Sequence, residues 1–137
     1  MGVGEKRVKI GDVEIILLCD GVARADGGGM FGLVPKVMWE KKHPADELNR
    51  VKMVMNCLLI RDGEHNIVVD TGYGSKLNHR VREILGISET GKLPEELGKH
   101  GLETSQIDLV INTHLHADHC GGNTVRQGEQ IVPTFPN

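Results

Sequence analysis

The sequence predicts an α/β fold built as a layered sandwich, and three patterns carry that prediction. Two pairs of β-prone runs flank the two-residue turns Gly11-Asp12 and Asp62-Gly63. Helical periodicity then alternates with a short strand over residues 75–111. Strands that first pair by hairpins and later alternate with helices make layers of sheet and helix. A length of 137 residues suits a single domain spanning 1–137, since domains most often run about 100–150 residues.

Each element follows in order. Arg7–Ile10 and Val13–Leu18 are β-prone and joined by Gly11-Asp12, a hairpin signal. Residues 19–50 are expected to be irregular, with a Gly27-Gly28-Gly29 triplet, Pro35 and Pro44. A connection of that length is usually functional or mobile. Met53–Ile60 and Asn66–Val69 form a second strand pair, and their near-continuous apolar content predicts cover on both faces. Ser75–Leu85 reads as a helix, with Leu77, Val81, Ile84 and Leu85 on one face and Gly86 past its end. Pro94–His100 reads as a short helix with Pro at its start and Gly101 after its end. Leu109–Ile111 is a short buried strand, and Gln130–Thr134 is β-prone.

Composition narrows the function. Sixteen basic and nineteen acidic residues give a net charge of −3, so no general polyanion-binding field is present and nucleic acid is not an expected partner. The basic residues between Lys36 and Lys52 alternate with Glu40, Asp46 and Glu47 and read as a solvated face. The longest apolar run, Ile15–Cys19, is far below the ~20 residues a bilayer span needs. Met1–Lys6 has no apolar signal core and misses the myristoylation pattern at Lys6. Three cysteines, Cys19, Cys57 and Cys120, are an odd number without close pairing. A reduced, cytoplasmic protein with no membrane partner is the expectation. Glycine contributes 18 residues, well above the ~7% average, which predicts tight turns or backbone lying against a ligand.

The chemistry concentrates in Thr113–Gly122. His114, His116, Asp118 and His119 supply four ligand-type side chains within six positions, directly after the Leu109–Ile111 strand. His114 and His116, two apart, point to one side if the backbone is extended. Gly121-Gly122 is expected to let the chain turn sharply. Imidazole nitrogen with carboxylate oxygen suits Zn²⁺, and also Mn²⁺ or Fe²⁺. The two pairs, His114 with His116 and Asp118 with His119, can serve two adjacent metals. His43, His65, His79 and His100 stand apart from any ligand pattern and read as exposed or structural, and Cys120 reads as packing at a turn.

The run His114-Leu115-His116-Ala117-Asp118-His119 resembles the His-x-His-x-Asp-His signature of the metallo-β-lactamase-fold hydrolases, and Asp70-Thr71-Gly72 resembles that family's Asp-Thr-Gly. Val34-Pro35-Lys36 with Trp39, Pro44–Glu47, Asn49-Arg50 and Pro133–Asn137 look like a branch of lactonases and organophosphate-ester hydrolases. The resemblance implies an αββα sandwich of which this chain matches the N-terminal half. It implies two zinc ions in a complete site, His114 and His116 on the first, Asp118 and His119 on the second. A water activated between them would attack a small-molecule ester, lactone or related bond, with Asp118 also orienting that water. Asp70 would hold ligands in place without itself binding metal. In the family a further His, a bridging Asp and a last His come from the second half. Here no His, Asp or Cys follows Cys120, and Glu129 is the sole later acidic residue. The expectation is therefore an incomplete site, finished by a C-terminal half or a second polypeptide. The competing expectation is a non-catalytic half-domain that homo-oligomerises.

Overall fold

The computed structural model describes residues 6–137; the signal and myristoylation readings of the first five residues lie outside the described part. Strands β1 (Arg7–Ile10), β2 (Val13–Asp26), β3 (Arg50–Arg61), β4 (Asn66–Val69) and β5 (Leu109–Ile111) form one sheet in sequence order. The first three pairings are antiparallel, and β5 joins β4 in parallel. That parallel step needs a crossover, supplied by residues 70–108 with α3 (His79–Ile84) and α4 (Leu93–Lys99). A separate hairpin, β6 (Thr124–Gln127) and β7 (Gln130–Pro133), closes the chain. No helix among the described residues is long and apolar enough to cross a membrane.

The main core lies on one face of the sheet. Ile16, Leu18, Cys57, Leu59 and Val68 point into it and meet Leu93 and Leu97 of α4, with Leu102, Ile107 and Phe135. Alternation in β2 breaks at a bulge, where pairing passes from Cys19↔Asn56 to Gly21↔Met55 and skips Asp20. The extra residue switches the inward parity. Ile16 and Leu18 face inward before the bulge, and Gly21 and Ala23 after it, where Ala23, Met55 and Ile87 make a second cluster.

The opposite face corrects the expectation of strands covered on both sides. Val8, Ile15, Ile60, Ile67 and Leu109 stand in register across all five strands, with Leu17, Leu58, Val69 and Ile111 in the next row. Nothing among the described residues buries these rows. Val8 is 58% exposed and Leu109 51%. Leu109–Ile111 is therefore a strand as expected, but its outer residues are not buried.

Other elements refine the sequence reading. Residues 19–50 are less irregular than expected. β2 continues to Asp26, α1 (Gly27–Phe31) and α2 (Lys36–Trp39) follow, and β3 begins at Arg50. Asp26 caps α1 by accepting from Gly29 N at 2.9 Å. Phe31 stacks on Trp39 at 4.5 Å between ring centroids. The helix expected over Ser75–Leu85 starts only at His79, because Asn78 accepts from Val81 N and caps it there. Ile84, assigned to its buried face, is 68% exposed, while Leu77 and Leu85 do pack on the second cluster.

Cys57 is 1% exposed, and burial, reinforced by the nearby Asp20 charge, pushes its thiol up to about 12. The contribution of this raised value to stability is full below the ordinary thiol value of 9.0 and is lost as pH rises toward about 12. Titration with a disulfide reagent at pH 8 is expected to label Cys120 and, more slowly, Cys19, whose thiol is also raised by burial. Cys57 is expected to react only after denaturation. Fast labelling of three thiols in the native protein would contradict this packing.

Candidate metal centre

The site stands where β4 and β5 end side by side. Asp70 follows β4 directly, donates its backbone N–H to Ile111 O at 2.9 Å, and adopts φ 57°, unusual for a residue with a side chain. This turns its carboxylate toward the segment after β5. One oxygen accepts from Thr113 N at 2.8 Å, and the other lies 2.8 Å from Thr113 Oγ1 and 2.7 Å from His119 Nδ1. Asp70 is 6% exposed. Burial alone would raise its carboxyl, but the His119 imidazole and the Thr113 donors outweigh it and hold the group below the usual carboxylate range.

The histidine segment is not extended throughout. His116 has extended backbone and leads into a one-turn helix, α5 (Ala117–Cys120), in which His119 N and Cys120 N donate to His116 O. His114 and His116 do share a side, as spacing predicted: His114 Nε2 is 2.9 Å from His116 Nδ1. The His114 ring also lies 4.0 Å from the His119 ring, centroid to centroid, and Asp118 Oδ2 is 3.5 Å from His119 Nε2. All four motif side chains therefore meet in one cluster. Among the described residues, however, no three His, Cys, Asp or Glu groups converge in ligand geometry. His114 and His116 are bonded to each other instead. His43 packs beside Phe31, His65 pairs with Asp62 and His79 with Glu83, all away from the cluster, as expected.

The donor set and its anchoring fit a zinc ion. Nδ1 of His119 is engaged by Asp70, and Nδ1 of His114 lies 3.2 Å from the Thr113 hydroxyl. The His119 ring thereby keeps Nε2 as its ligand atom, the arrangement that partners of metal-binding imidazoles usually enforce, whereas Nε2 of His114 would exchange its bond to His116 Nδ1 for the metal. The cluster is largely solvent-exposed on its outer side.

A backbone cage fixes the cluster from below. His119 O accepts from Thr71 N at 2.7 Å and from Asn112 Nδ2 at 3.2 Å. Asn123 bonds both Asn112 and the Thr71 hydroxyl. Lys76 Nζ donates to Gly121 O and Thr124 O, and burial lowers its ammonium. Gly121 and Gly122 do not serve as a sharp turn; both lie in a 3-10 segment. They are small because two backbones touch there. A Cβ on Gly122 would lie 2.2 Å from Thr71 O, and one on Gly121 2.5 Å from Tyr73 O.

Asp20, the bulge residue, completes the support and was not singled out by its sequence. It is fully buried and accepts from Gly74 N at 3.1 Å and Leu93 N at 3.2 Å, with Thr90 Oγ1 at 3.1 Å. The signal was present as an acidic residue ending the run Ile15–Cys19, since Asp is rarely buried without partners.

The profile of the metallo-beta-lactamase superfamily matches residues 53–136, more than half of the chain. The chain belongs to the metallo-β-lactamase superfamily. A probable metal-dependent hydrolase from Staphylococcus aureus is 36% identical with a TM-score of 0.82 over 85% of this chain. The hydrolase AbOPH of the β-lactamase superfamily is 28% identical with a TM-score of 0.72 over the full chain. AidC, a dizinc quorum-quenching lactonase solved with the product N-hexanoyl-L-homoserine, is 28% identical with a TM-score of 0.69 over 98% of the chain. This chain spans 43%, 43% and 42% of those three proteins. An Integrator complex subunit 11 homologue from Dictyostelium discoideum is 32% identical over 68 residues, 48% of this chain and 8% of that protein. The metallo-β-lactamase fold of this chain is thus the part that would occupy one half of such hydrolases.

Proposed function

We propose that this chain carries the first half of a binuclear metal site in a hydrolase of ester, lactone or related bonds. The observation that supports it is the meeting of His114, His116, His119 and Asp118 above an Asp70 already bonded to His119. His114 and His116 would hold one Zn²⁺, and Asp118 and His119 a second; Mn²⁺ or Fe²⁺ suits the same donors. A bound zinc lowers the pKa of its water to near 7 and polarises a carbonyl or phosphoryl oxygen. Asp118 would orient that water through its free carboxylate oxygen. Asp70 would keep His119 in the tautomer that presents Nε2. A catalytic zinc normally has three protein ligands, so further ligands come from outside these four residues.

The test is zinc content per chain and hydrolysis of a lactone, an aryl ester and a phosphotriester, repeated with His116→Ala. The variant is expected to lose metal and at least a thousandfold in turnover. Equal metal content and activity would overturn the site.

The open apolar rows on the outer sheet face favour a second reading of how the site is completed. A face this size marks an interaction surface, and a C-terminal half, a second polypeptide or a second copy would cover it. A non-catalytic half-domain that binds metal and homo-oligomerises is the form of this reading without turnover. A monodisperse monomer by light scattering would exclude it. The three free cysteines support a reducing, cytoplasmic location.

A further inference from the structure

A cavity of about 370 Å³ opens beside the histidine cluster. Met30, Met53, Met55 and Leu85 give it apolar walls, and Asp118, His119 and Tyr73 line it as well. Its volume falls in the range of small-molecule sites, which are mostly apolar with a few fixed polar groups. Methionine side chains adapt to varied apolar shapes.

Tyr73 is the group whose role the metal reading leaves open. Its backbone is clamped from three directions. Gly72 and Gly74 on either side have φ of 66° and 64°, Gly72 O accepts from Gly122 N at 3.1 Å, and Gly74 N is held by Asp20. Gly121 leaves no space between the two backbones. Its ring packs on the Ala23, Met55 and Ile87 cluster and is half-buried. Its hydroxyl has no protein hydrogen-bond partner among the described residues, and Asp118 is its charged neighbour. A rigid ring with an unengaged donor, in a cavity shared with Asp118 and His119, is arranged for a ligand oxygen.

We infer that Tyr73 contacts substrate, donating its phenol hydrogen to an oxygen of the bound ester or lactone while the methionine-walled cavity holds the substrate's apolar substituent. This rests on the hydrolase reading of the same site. The bond is a hydrogen bond, and the phenol keeps its proton throughout.

Tyr73 is the sole tyrosine of the chain, so fluorotyrosine incorporation places a single ¹⁹F reporter in the cavity. Zinc-loaded protein is titrated with hexanoate and with acetate, carboxylates of the kind that ester cleavage releases. Hexanoate is expected to shift the resonance saturably and to bind at least tenfold tighter than acetate, since a buried methylene is worth up to about fourfold. By calorimetry, Tyr73→Phe is expected to weaken hexanoate by about threefold to tenfold, the size of one hydrogen bond, with zinc affinity unchanged. Ala25→Leu, which fills the cavity, is expected to erase the preference for hexanoate. Zinc uptake and ester hydrolysis with a resonance that neither carboxylate moves would overturn the assignment of Tyr73 and leave the hydrolase reading intact. Failure to take up zinc would overturn the hydrolase reading and this inference with it.

Discussion

Replacing Asp20 with alanine is expected to lower the unfolding free energy by about 3–5 kcal/mol, the scale of a broken buried hydrogen-bond network. The cause is local. Gly74 N and Leu93 N would lose their acceptor in a site with no solvent access, and each buried donor left unpaired costs about 1–3 kcal/mol. The Thr90 hydroxyl retains a partner, because Gly74 O lies 2.8 Å away. Asp20→Asn keeps one acceptor oxygen but turns an amide toward the remaining donors, so about half the loss is expected. Urea unfolding followed by the fluorescence of Trp39 measures both. Equal stability of the wild type and Asp20→Ala would mean that the bulge carboxyl group is not what ties β2 to the Gly72–Gly74 loop and to α4.

The second large effect is expected at Asp70. Asp70→Asn preserves size and can still accept from Thr113 N, but an amide facing His119 Nδ1 donates where the carboxylate accepted. His119 would then carry its proton on Nε2, the atom left for metal. Zinc affinity, read by competition with a chromophoric chelator, is expected to fall about 10–100-fold, the usual cost of losing such a partner. Circular dichroism is expected to stay near wild type. Unchanged affinity would show that Asp70 shapes the turn and not the imidazole.

Much of the site was legible because its residues are adjacent in sequence. His114, His116, Asp118 and His119 fall in one segment, and adjacency placed them together before any folding argument. The Gly11-Asp12 hairpin, α4 and β5 were legible for a similar reason, since turn chemistry and periodicity are local. What escaped was set by pairing at a distance. The second half of β2, Gly21–Asp26, alternates only small Ala23 and Ala25 with Arg24 and Asp26, a weak β signal, and is a strand because β3 pairs with it across the bulge. The true start of α3 depends on Asn78. Residues 75–77, expected to be helical, are held elsewhere by Lys76 reaching Gly121 and Thr124. The roles of Thr113, Asn112 and Asn123 arise only once β4 and β5 bring residues 70 and 113 together. Polar side chains of that kind carry no pattern until the backbone has chosen their neighbours. The uncovered rows on the sheet illustrate the reverse case. Aliphatic content in β3 and β4 predicted two buried faces, and composition alone does not say which face the described residues cover.

One consequence concerns the segment between β2 and β3. Its ends are fastened to each other: Asp26 pairs with Arg50, and Gly27 N donates to Asn49 O at 2.7 Å. Within it, Phe31 and Trp39 hold α1 against α2, and Met30 reaches the cavity. Lengthening a connection whose stems are already joined costs little, about 0.6 kcal/mol per doubling. Residues 27–49 are thus expected to tolerate exchange as a unit, provided the Asp46 contacts to Arg24 and Arg50 are kept. A graft at Asp26 and Arg50 can redraw one wall of the cavity while the histidines, on the far side of the sheet order, keep their positions. Because Met30 and His119 line one cavity, such a graft is expected to change what the cavity accepts while the histidine segment keeps its own backbone anchors, which makes this segment the first place to diversify in a library.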